Sequence, residues 1–541
     1  MNVLKPLIFD ATGGSDIYRR LVDTGRYEEG RLVRKVYGDG EVGHFIQPDL
    51  QPRGAHPSLK GTLRGREVVI VGDLSTNELV IDTYDVCNNA FDETALKLTL
   101  VVPKSSLPGD RFRRQALLDL FASVPSTPAG NKLVLAHGSH LGMSEDYAGR
   151  PLRRLIALGS TLATLLVSLW AIVRANCRRQ TAALSGNSSK PILLYTTSYE
   201  YLAREMMALG DFELGECEWE QLDGKPFFKR LKTNVAGRRV IIVSGMIDAR
   251  ETMEQYYMAR AVALAGALER YLEEAYMMNA TMERKTKSGE AVKAKIRARM
   301  LSCLPLCPLG NRIIFVDLHS EGIPYYLEGG LQPHHLYVGK HLVAAVARDM
   351  CGLPSTYLLG TIELEVPACP ARDRLTLCAT DNGRIKWVGS MGQDTLLKTA
   401  FGRKERQDDD VVVFLGALGP VLGCDALVYD DKCGTGGTAI KATSGIRIDQ
   451  YGPEWREWIA KLAQDATLRL PDNVPDLTSV GCFSHLVGNV VPKMLAARDA
   501  LGRPVFKYIV ASNSHPLAQA QADGKTCFVK SIAPLLVKAL D

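Results

Sequence analysis

The chain has 541 residues, 46% hydrophobic and 23% charged, with 65 basic and 60 acidic side chains and a formal net charge of +5. That composition excludes a largely disordered chain, and 48 glycines without a Gly-X-Y period exclude a collagen. A small positive balance with no long Lys/Arg run leaves no electrostatic footprint for nucleic acid.

Length predicts roughly three or four domains of about 150 residues. The N-terminus, MNVLKPLIFDATGG, has no long apolar core and is not read as a secretory signal. It opens instead with a strand, PLIF, a turn and a helix carrying Tyr18 and Arg19. A second strand follows in GREVVIVGD (65–73) and a third in NKLVLAH (131–137). Leu155 to Val173 is uncharged and flanked by Arg153, Arg154 and Arg174, with a length in the range of a membrane span. The repeat described next makes it a buried or interface helix instead, and membrane association is not expected.

The first unit occurs twice. PLIFDATGGSDIYRRLVDTGRYEEG answers PILLYTTSYEYLAREMMALGDFELG from Pro191. Asp39-Gly40 answers Asp223-Gly224, GREVVIVGD answers GRRVIIVSG (237–245), and SVPSTPAGNKLVLAHGSH answers CLPLCPLGNRIIFVDLHS at a shift of 311 − 131 = 180. Four blocks in one order indicate a degenerate tandem duplication. Leu155–Val173 then falls where the second copy has an amphipathic helix after Tyr326. Gly186-Asn-Ser-Ser is a polar linker, so the expected domains are 1–187, 188–340 and 341–541. The stretch TKSGEAVKAKIRARM puts Lys293, Arg297 and Met300 on one helical face and is read as a solvated basic helix.

The third block alternates strands and helices. RLTLCATD (374–381), DALVYDD (425–431), KYIVAS (507–512) and TCFVKSIA (526–533) are its predicted strands. Acids at strand ends and helices between strands indicate α/β domains with parallel sheets, whose ligands bind beyond the carboxyl ends. The twelve cysteines form no CxxC pair and are read as reduced thiols, which places the protein in a reducing, cytoplasmic compartment.

The chemistry concentrates after Val428. An apolar strand ends in Asp430-Asp431, then Gly434-Thr435-Gly436-Gly437-Thr438 runs into a helix. Small residues let backbone N–H groups converge on one anion, the helix N-terminus adds positive potential, and threonine hydroxyls add donors. Ionised carboxylates accept hydroxyl hydrogen bonds. A monophosphate beside sugar hydroxyls fits that pattern. GxxxxGK[ST] is absent, so it is not a Walker loop. The bland alternative is a strand–turn–helix with turn acids.

This loop resembles the phosphoribosyl-pyrophosphate (PRPP) loop of type I phosphoribosyltransferases and of ribose-phosphate pyrophosphokinases, the PRPP synthetases. Residues 191 to 541 resemble the second family, with residues 1–187 as a second, worn N-terminal half. The resemblance implies tandem phosphoribosyltransferase type I-like domains. It also implies a ribose-phosphate diphosphokinase of nucleotide biosynthesis, including purine biosynthesis. Such an enzyme moves diphosphate from ATP to C1 of ribose 5-phosphate, giving PRPP and AMP. Gly434, Thr435, Gly436, Gly437 and Thr438 would hold the 5-phosphate, and Asp430 and Asp431 the ring hydroxyls. Asp223 and Gly224 match a Phe-x-Asp-Gly-Glu loop, and Arg284 and Lys285 a basic segment, both on the ATP side. Asp317-Leu318-His319 matches an Asp-Leu-His motif. A lone histidine is more often structural, but at this strand end His319 reads as catalytic and, with Asp381, as a Mg²⁺ ligand. Arg403 and Lys404 match a mobile catalytic loop. The first copy has Ser139 at the position of His319 and is not expected to be a second active site. Lys225, Thr281 and Gly434 depart from the family pattern. A weak or inactive regulatory subunit therefore stays as an alternative, and a PRPP-using phosphoribosyltransferase as a lesser one. Homo-oligomers, or hetero-oligomers with related synthetase subunits, are implied.

Overall fold

The computed structural model describes residues 5–12, 15–36, 42–47, 63, 66–93, 95–136, 144–145, 190–222, 224–286, 289–351, 374–380, 382–406, 412–464, 468 and 474–541. Leu155–Val173, Asp39-Gly40 and Ser139 lie outside the described residues. No described helix is long and apolar enough to cross a membrane. The nine cysteines whose side chains are described are free.

The first unit carries β1 (Leu7–Asp10), α1 (Asp16–Asp23), β2 (Glu28–Glu29), β3 (Arg31–Val36), β4 (Val42–Gln47), β5 (Glu67–Val71), α2 (Asn77–Asp92), β6 (Lys97–Pro103), α3 (Arg111–Ala122), β7 (Asn131–Ala136) and β8 (Ser144–Glu145). Its sheet order is β2-β1-β5-β6-β7-β8, with β3 and β4 forming a separate antiparallel ribbon. All neighbours run parallel except β7 and β8. Strands buried on both faces read as apolar runs, as LIFD and EVVIV do. Each long helix starts at a polar cap: Thr76 accepts from the Leu79 amide and Asp110 from the Arg113 amide.

The second unit repeats that plan. It carries β9 (Ile192–Tyr195), α4 (Glu200–Leu209), β10 (Glu213–Leu214), β11 (Cys217–Leu222), β12 (Lys225–Leu231), β13 (Arg239–Met246), α5 (Ala249–Leu264), β14 (Glu269–Met277), α6 (Lys293–Ser302), β15 (Gly310–Val316) and β16 (Gln332–Leu336). The order is β10-β9-β13-β14-β15-β16, all parallel, with β11 and β12 as the antiparallel ribbon. The strand order is that of the first unit, and the edge strand differs: β8 is antiparallel to β7, whereas β16 is parallel to β15.

The third unit begins with α7 (Val338–Cys351) and continues with β17 (Leu375–Ala379), α8 (Ile385–Thr395), β18 (Lys398–Arg406), β19 (Val412–Leu418), β20 (Asp425–Cys433), α9 (Gly437–Tyr451), α10 (Pro453–Gln464), β21 (Ser479–Leu486), α11 (Val491–Ala496), β22 (Tyr508–Ser512), α12 (Pro516–Gln521), β23 (Cys527–Lys530) and α13 (Ala533–Ala539). Its sheet runs β19-β18-β17-β20-β21-β22-β23, parallel except for the β18–β19 hairpin. The four strands expected here from sequence are present, and β18, β19 and β21 are additional.

The middle sheet is covered on both faces. One apolar cluster joins it to the first unit, combining Val86, Leu117 and Leu120 with Met253, Ala259, Ile296 and Met300. Another joins its opposite face to the third unit, combining Leu193, Leu202 and Ile314 with Leu342, Leu427 and Leu536. Helix α5 therefore buries residues all round, including Glu251, Glu254 and Gln255. The same burial corrects the reading of α6. Lys293, Arg297, Arg299 and Met300 are buried, not solvated. Lys293 and Arg297 meet Asp85 of α2 at 2.7 and 2.8 Å, an anion the local sequence does not supply.

Candidate active site

The second and third sheets meet at the carboxyl ends of β14, β15 and β20. A cleft of about 250 Å³, part of it open to solvent, lies there. Tyr276, Thr281, Asp317, His319, Asp431 and Lys432 are among its lining residues.

His319 comes from the turn after β15. Asp317, two residues earlier, adopts φ +37°, a left-handed value that is rare outside glycine. Its Oδ2 accepts from the Gly339 amide at 2.6 Å at the start of α7. Burial pushes the Asp317 carboxyl up to about 7. Beneath this turn, His485 of β21 places Nε2 at 3.2 Å from the carbonyl oxygens of Val316 and Asp317, while its Nδ1 meets Ser514 Oγ at 2.7 Å. Burial lowers the His485 pKa to about 4, so it supports the turn as a neutral ring.

The third unit supplies the acids. His319 Nδ1 lies 2.8 Å from Asp431 Oδ2. Asp430 Oδ2 accepts from Thr380 Oγ1 at 2.8 Å, and its Oδ1 accepts from the Asp431 amide at 3.0 Å. Between the two units stands Arg384, which the sequence reading did not single out. Its Nη2 is 2.5 Å from Asp431 Oδ2 and 2.6 Å from His319 Nδ1, its Nη1 donates to the His319 carbonyl at 3.2 Å, and its Nε is 3.7 Å from Asp430 Oδ1. The one available signal was an arginine directly after Gly383, at the end of an apolar strand.

This arrangement has a chemical consequence. Guanidinium only donates and carboxylate only accepts. His319 Nδ1 can therefore accept from Arg384 or donate to Asp431, not both. The choice sets whether Nε2 carries a proton or a lone pair. Burial would raise the Asp431 carboxyl, but the His319 hydrogen bond and the Arg384 charge outweigh it and hold the group well below the usual range. Asp431 is an ionised acceptor at neutral pH.

The glycine loop follows directly. Gly436 takes φ +70° and caps α9, whose leading amides at Gly437, Thr438 and Ala439 have no intrahelical acceptor. A Cβ on Gly488 would stand 1.8 Å from the Gly434 carbonyl, so the loop is braced by a neighbour that only glycine permits. Lys493 Nζ donates to the Thr435 carbonyl at 2.9 Å. Thr435 and Thr438 thus sit on a rigid, donor-rich turn.

The other expected residues fall as follows. Gly224, at φ +73°, makes the turn of the β11–β12 ribbon, and Asp223 lies outside the described residues. Of the segment after β14, Ala280 and Thr281 reach the cleft lining. Arg284 is 81% exposed beside Glu283, and the Lys285 amine pairs with Glu93 of the first unit. Asp381 lies outside the described residues. Arg403 and Lys404 were expected in a loop. They belong to β18, held antiparallel to the apolar VVFLGAL of β19, with a register shift between them; their side chains lie outside the described residues.

Magnesium prefers oxygen ligands in an octahedron. The described cleft offers the His319 imidazole with a guanidinium 2.6 Å from its Nδ1, the His485 imidazole with both ring nitrogens engaged, and carboxylates already hydrogen-bonded or paired. That donor set does not fit a resident Mg²⁺ ion.

Residues 192–304 match the N-terminal domain of ribose phosphate pyrophosphokinase. The ribose-phosphate pyrophosphokinase of Prochlorococcus marinus is 23% identical over 368 residues, covering 67% of this chain and 93% of that protein. That of Mycoplasma genitalium is 25% identical over 178 residues, covering 32% of this chain and 45% of that protein. The chain is thus similar to the ribose-phosphate pyrophosphokinases over as much as 67% of its length. A crystal structure of phosphoribosylpyrophosphate synthetase from Mycobacterium smegmatis aligns at a TM-score of 0.47 and 18% identity, covering 65% of this chain and 98% of that one. The ribose-phosphate pyrophosphokinase domain match lies within the second unit, which supplies His319 to the cleft from beyond the matched span, at 319 − 304 = 15 residues past its end.

Proposed function

We propose that the protein is a ribose-phosphate diphosphokinase that transfers the β,γ-diphosphoryl group of ATP to the C1 hydroxyl of ribose 5-phosphate, giving PRPP and AMP. The observation that carries this reading is the approach of His319 from one unit to Asp431 of the other at 2.8 Å, directly before the glycine loop. The loop amides and the Thr435 and Thr438 hydroxyls take the sugar phosphate. Asp430 and Asp431 accept hydrogen bonds from the ring hydroxyls, which orients C1 across the cleft. His319, its tautomer set by Asp431 or Arg384, presents Nε2 to the nucleotide phosphates. Arg384 keeps Asp431 ionised and adds positive potential where phosphoryl charge shifts, alongside Arg403 and Lys404 of β18. On the family resemblance, Asp223, Gly224, Arg284 and Lys285 are assigned to the nucleotide, and Asp381 to the magnesium it carries. Magnesium arrives as MgATP, as part of the substrate. Phosphoryl transfer asks for in-line positioning and fixed charge more than for covalent chemistry, and these residues offer both.

Arg384 also favours a second reading. A guanidinium that saturates both acids and His319 without ligand would close the sugar subsite and leave a catalytically silent regulatory partner. Purified protein incubated with MgATP and ribose 5-phosphate should release AMP above a protein-free blank. Release that matches the blank and appears only in Arg384→Ala would install the regulatory reading.

A further inference from the structure

The two copies dock on each other with reciprocal contacts. Helices α2 and α5 are 16 residues long and offset by 249 − 77 = 172, and α3 and α6 end at Ala122 and Ser302, an offset of 180. α2 packs on α5, α2 on α6, and α3 on α5. In a two-fold interface, if position i of one copy meets position j of the other, then j also meets i. The side chains obey this rule. Arg260 of α5 pairs with Asp119 of α3, and their equivalents Asn88 and Arg299 meet at 2.8 Å. Lys293 of α6 meets Asp85 of α2 at 2.7 Å, and their equivalents, Arg113 and Tyr257, stack with the guanidinium 5.7 Å from the ring centroid. The ribbons take corresponding places, though not through strictly equivalent residues. The carbonyl of His44 in β4 accepts from the Ala291 amide just ahead of α6, and the carbonyl of Phe228 in β12 accepts from Arg113 at the start of α3.

We propose that the first unit is a built-in dimer partner for the second, and that it clamps the segment leading from the cleft into α6. Tyr326 of the second unit holds the Glu283 carbonyl at 2.7 Å, but four partners farther along the segment come from the first unit. Glu93 takes the Lys285 amine, Asn89 Nδ2 donates to the Gly289 carbonyl at 2.9 Å, His44 meets Ala291, and Asp85 holds Lys293 and Arg297. Thr281, four residues ahead of Lys285, already lines the cleft. The first unit thus sets the rim of a site to which it gives no described lining residue. The ligand named in the test rests on the function proposed above; the clamp itself does not.

Amide hydrogen exchange and calorimetry on the full chain test this with Asn89→Ala and Asp85→Asn. Exchange across 289–302 should rise about tenfold or more in both variants while 425–440 stays as in the wild type. The dissociation constant for MgATP should rise about fivefold or more, with that for ribose 5-phosphate unchanged. Unchanged exchange at 289–302 in both variants overturns the clamp. Raised exchange with an unaltered MgATP constant overturns its reach to the cleft. Raised exchange in a protein whose wild type binds neither ligand upholds the clamp and sinks the diphosphokinase reading instead. Asn89→Ala keeps the test open should Asp85→Asn fail to fold.

Discussion

The first and second units share one strand order and use different surfaces. In the second, the strand ends carry the chemistry: β15 delivers Asp317 and His319 to a cleft closed by the third sheet. In the first, the helix faces carry it: α2 presents Asp85, Asn88 and Asn89 to its sister unit, all three buried. The same fold thus serves as half of a site in one copy and as a fitted cover in the other. What the pair teaches is that two units of one strand order can put different surfaces to use, because the buried cations of α6 need the anion that α2 supplies.

The sharpest way to break that contrast is His319→Ala. It should cut AMP release by about a thousandfold, the upper end of the loss of one preorganised polar group, while Ser139→Ala in the first unit should leave it unchanged. Equal effects would erase the distinction between the copies. Next, Asp85→Asn leaves Lys293 and Arg297 buried without their anion and should cost about 3–5 kcal/mol in urea unfolding. Burial favours protonation of Asp85, yet the nearby Arg297 and Lys293 keep its pKa depressed. Its stabilisation is therefore present at neutral pH and is lost on acidification below the ordinary carboxylate range. Arg384→Ala should lower AMP release about a hundredfold in an active enzyme; a rise would reassign Arg384 as a plug. Arg113→Met, which removes the reciprocal stacking contact on Tyr257, should cost only about 1–2 kcal/mol, less than its charged equivalent.

The smallest effect concerns alkaline stability, which should track the second unit. Burial raises Glu274 to about 8 and Glu251 to about 7. Folding therefore strengthens their protonation, a contribution complete below about pH 4 and lost as pH rises through 7 to 8. The melting temperature should fall by about 2–4 °C between about pH 6.5 and 8.5, and Glu274→Gln should flatten that slope. An equally steep slope in the variant would remove Glu274 from the account.

Much of this was legible in the residues. Apolar runs such as RVIIVSG and DALVYDD announced parallel strands because both faces of those strands are covered. The loop from Gly434 to Thr438 was readable because its work is done by local backbone. What the sequence hid depends on distant partners. Lys293 and Arg297 look like a solvated face until Asp85, more than two hundred residues earlier, is set against them. Arg384 looks like a turn residue until β20 and the β15 turn converge on it. β18 was misread because its charged end masks a ladder supplied by β19, whose apolar VVFLGAL could have revealed the hairpin.

Gly339 ties the second sheet to the third. Its amide is held by Asp317 of the second sheet, and a methyl group at its Cα would fall 2.1 Å from the Tyr429 hydroxyl of the third. The floor joining the two walls is thus pinned at closest approach. The distance from the His319 turn to the end of β20 is therefore set by packing before anything enters the cleft, rather than by whatever occupies it.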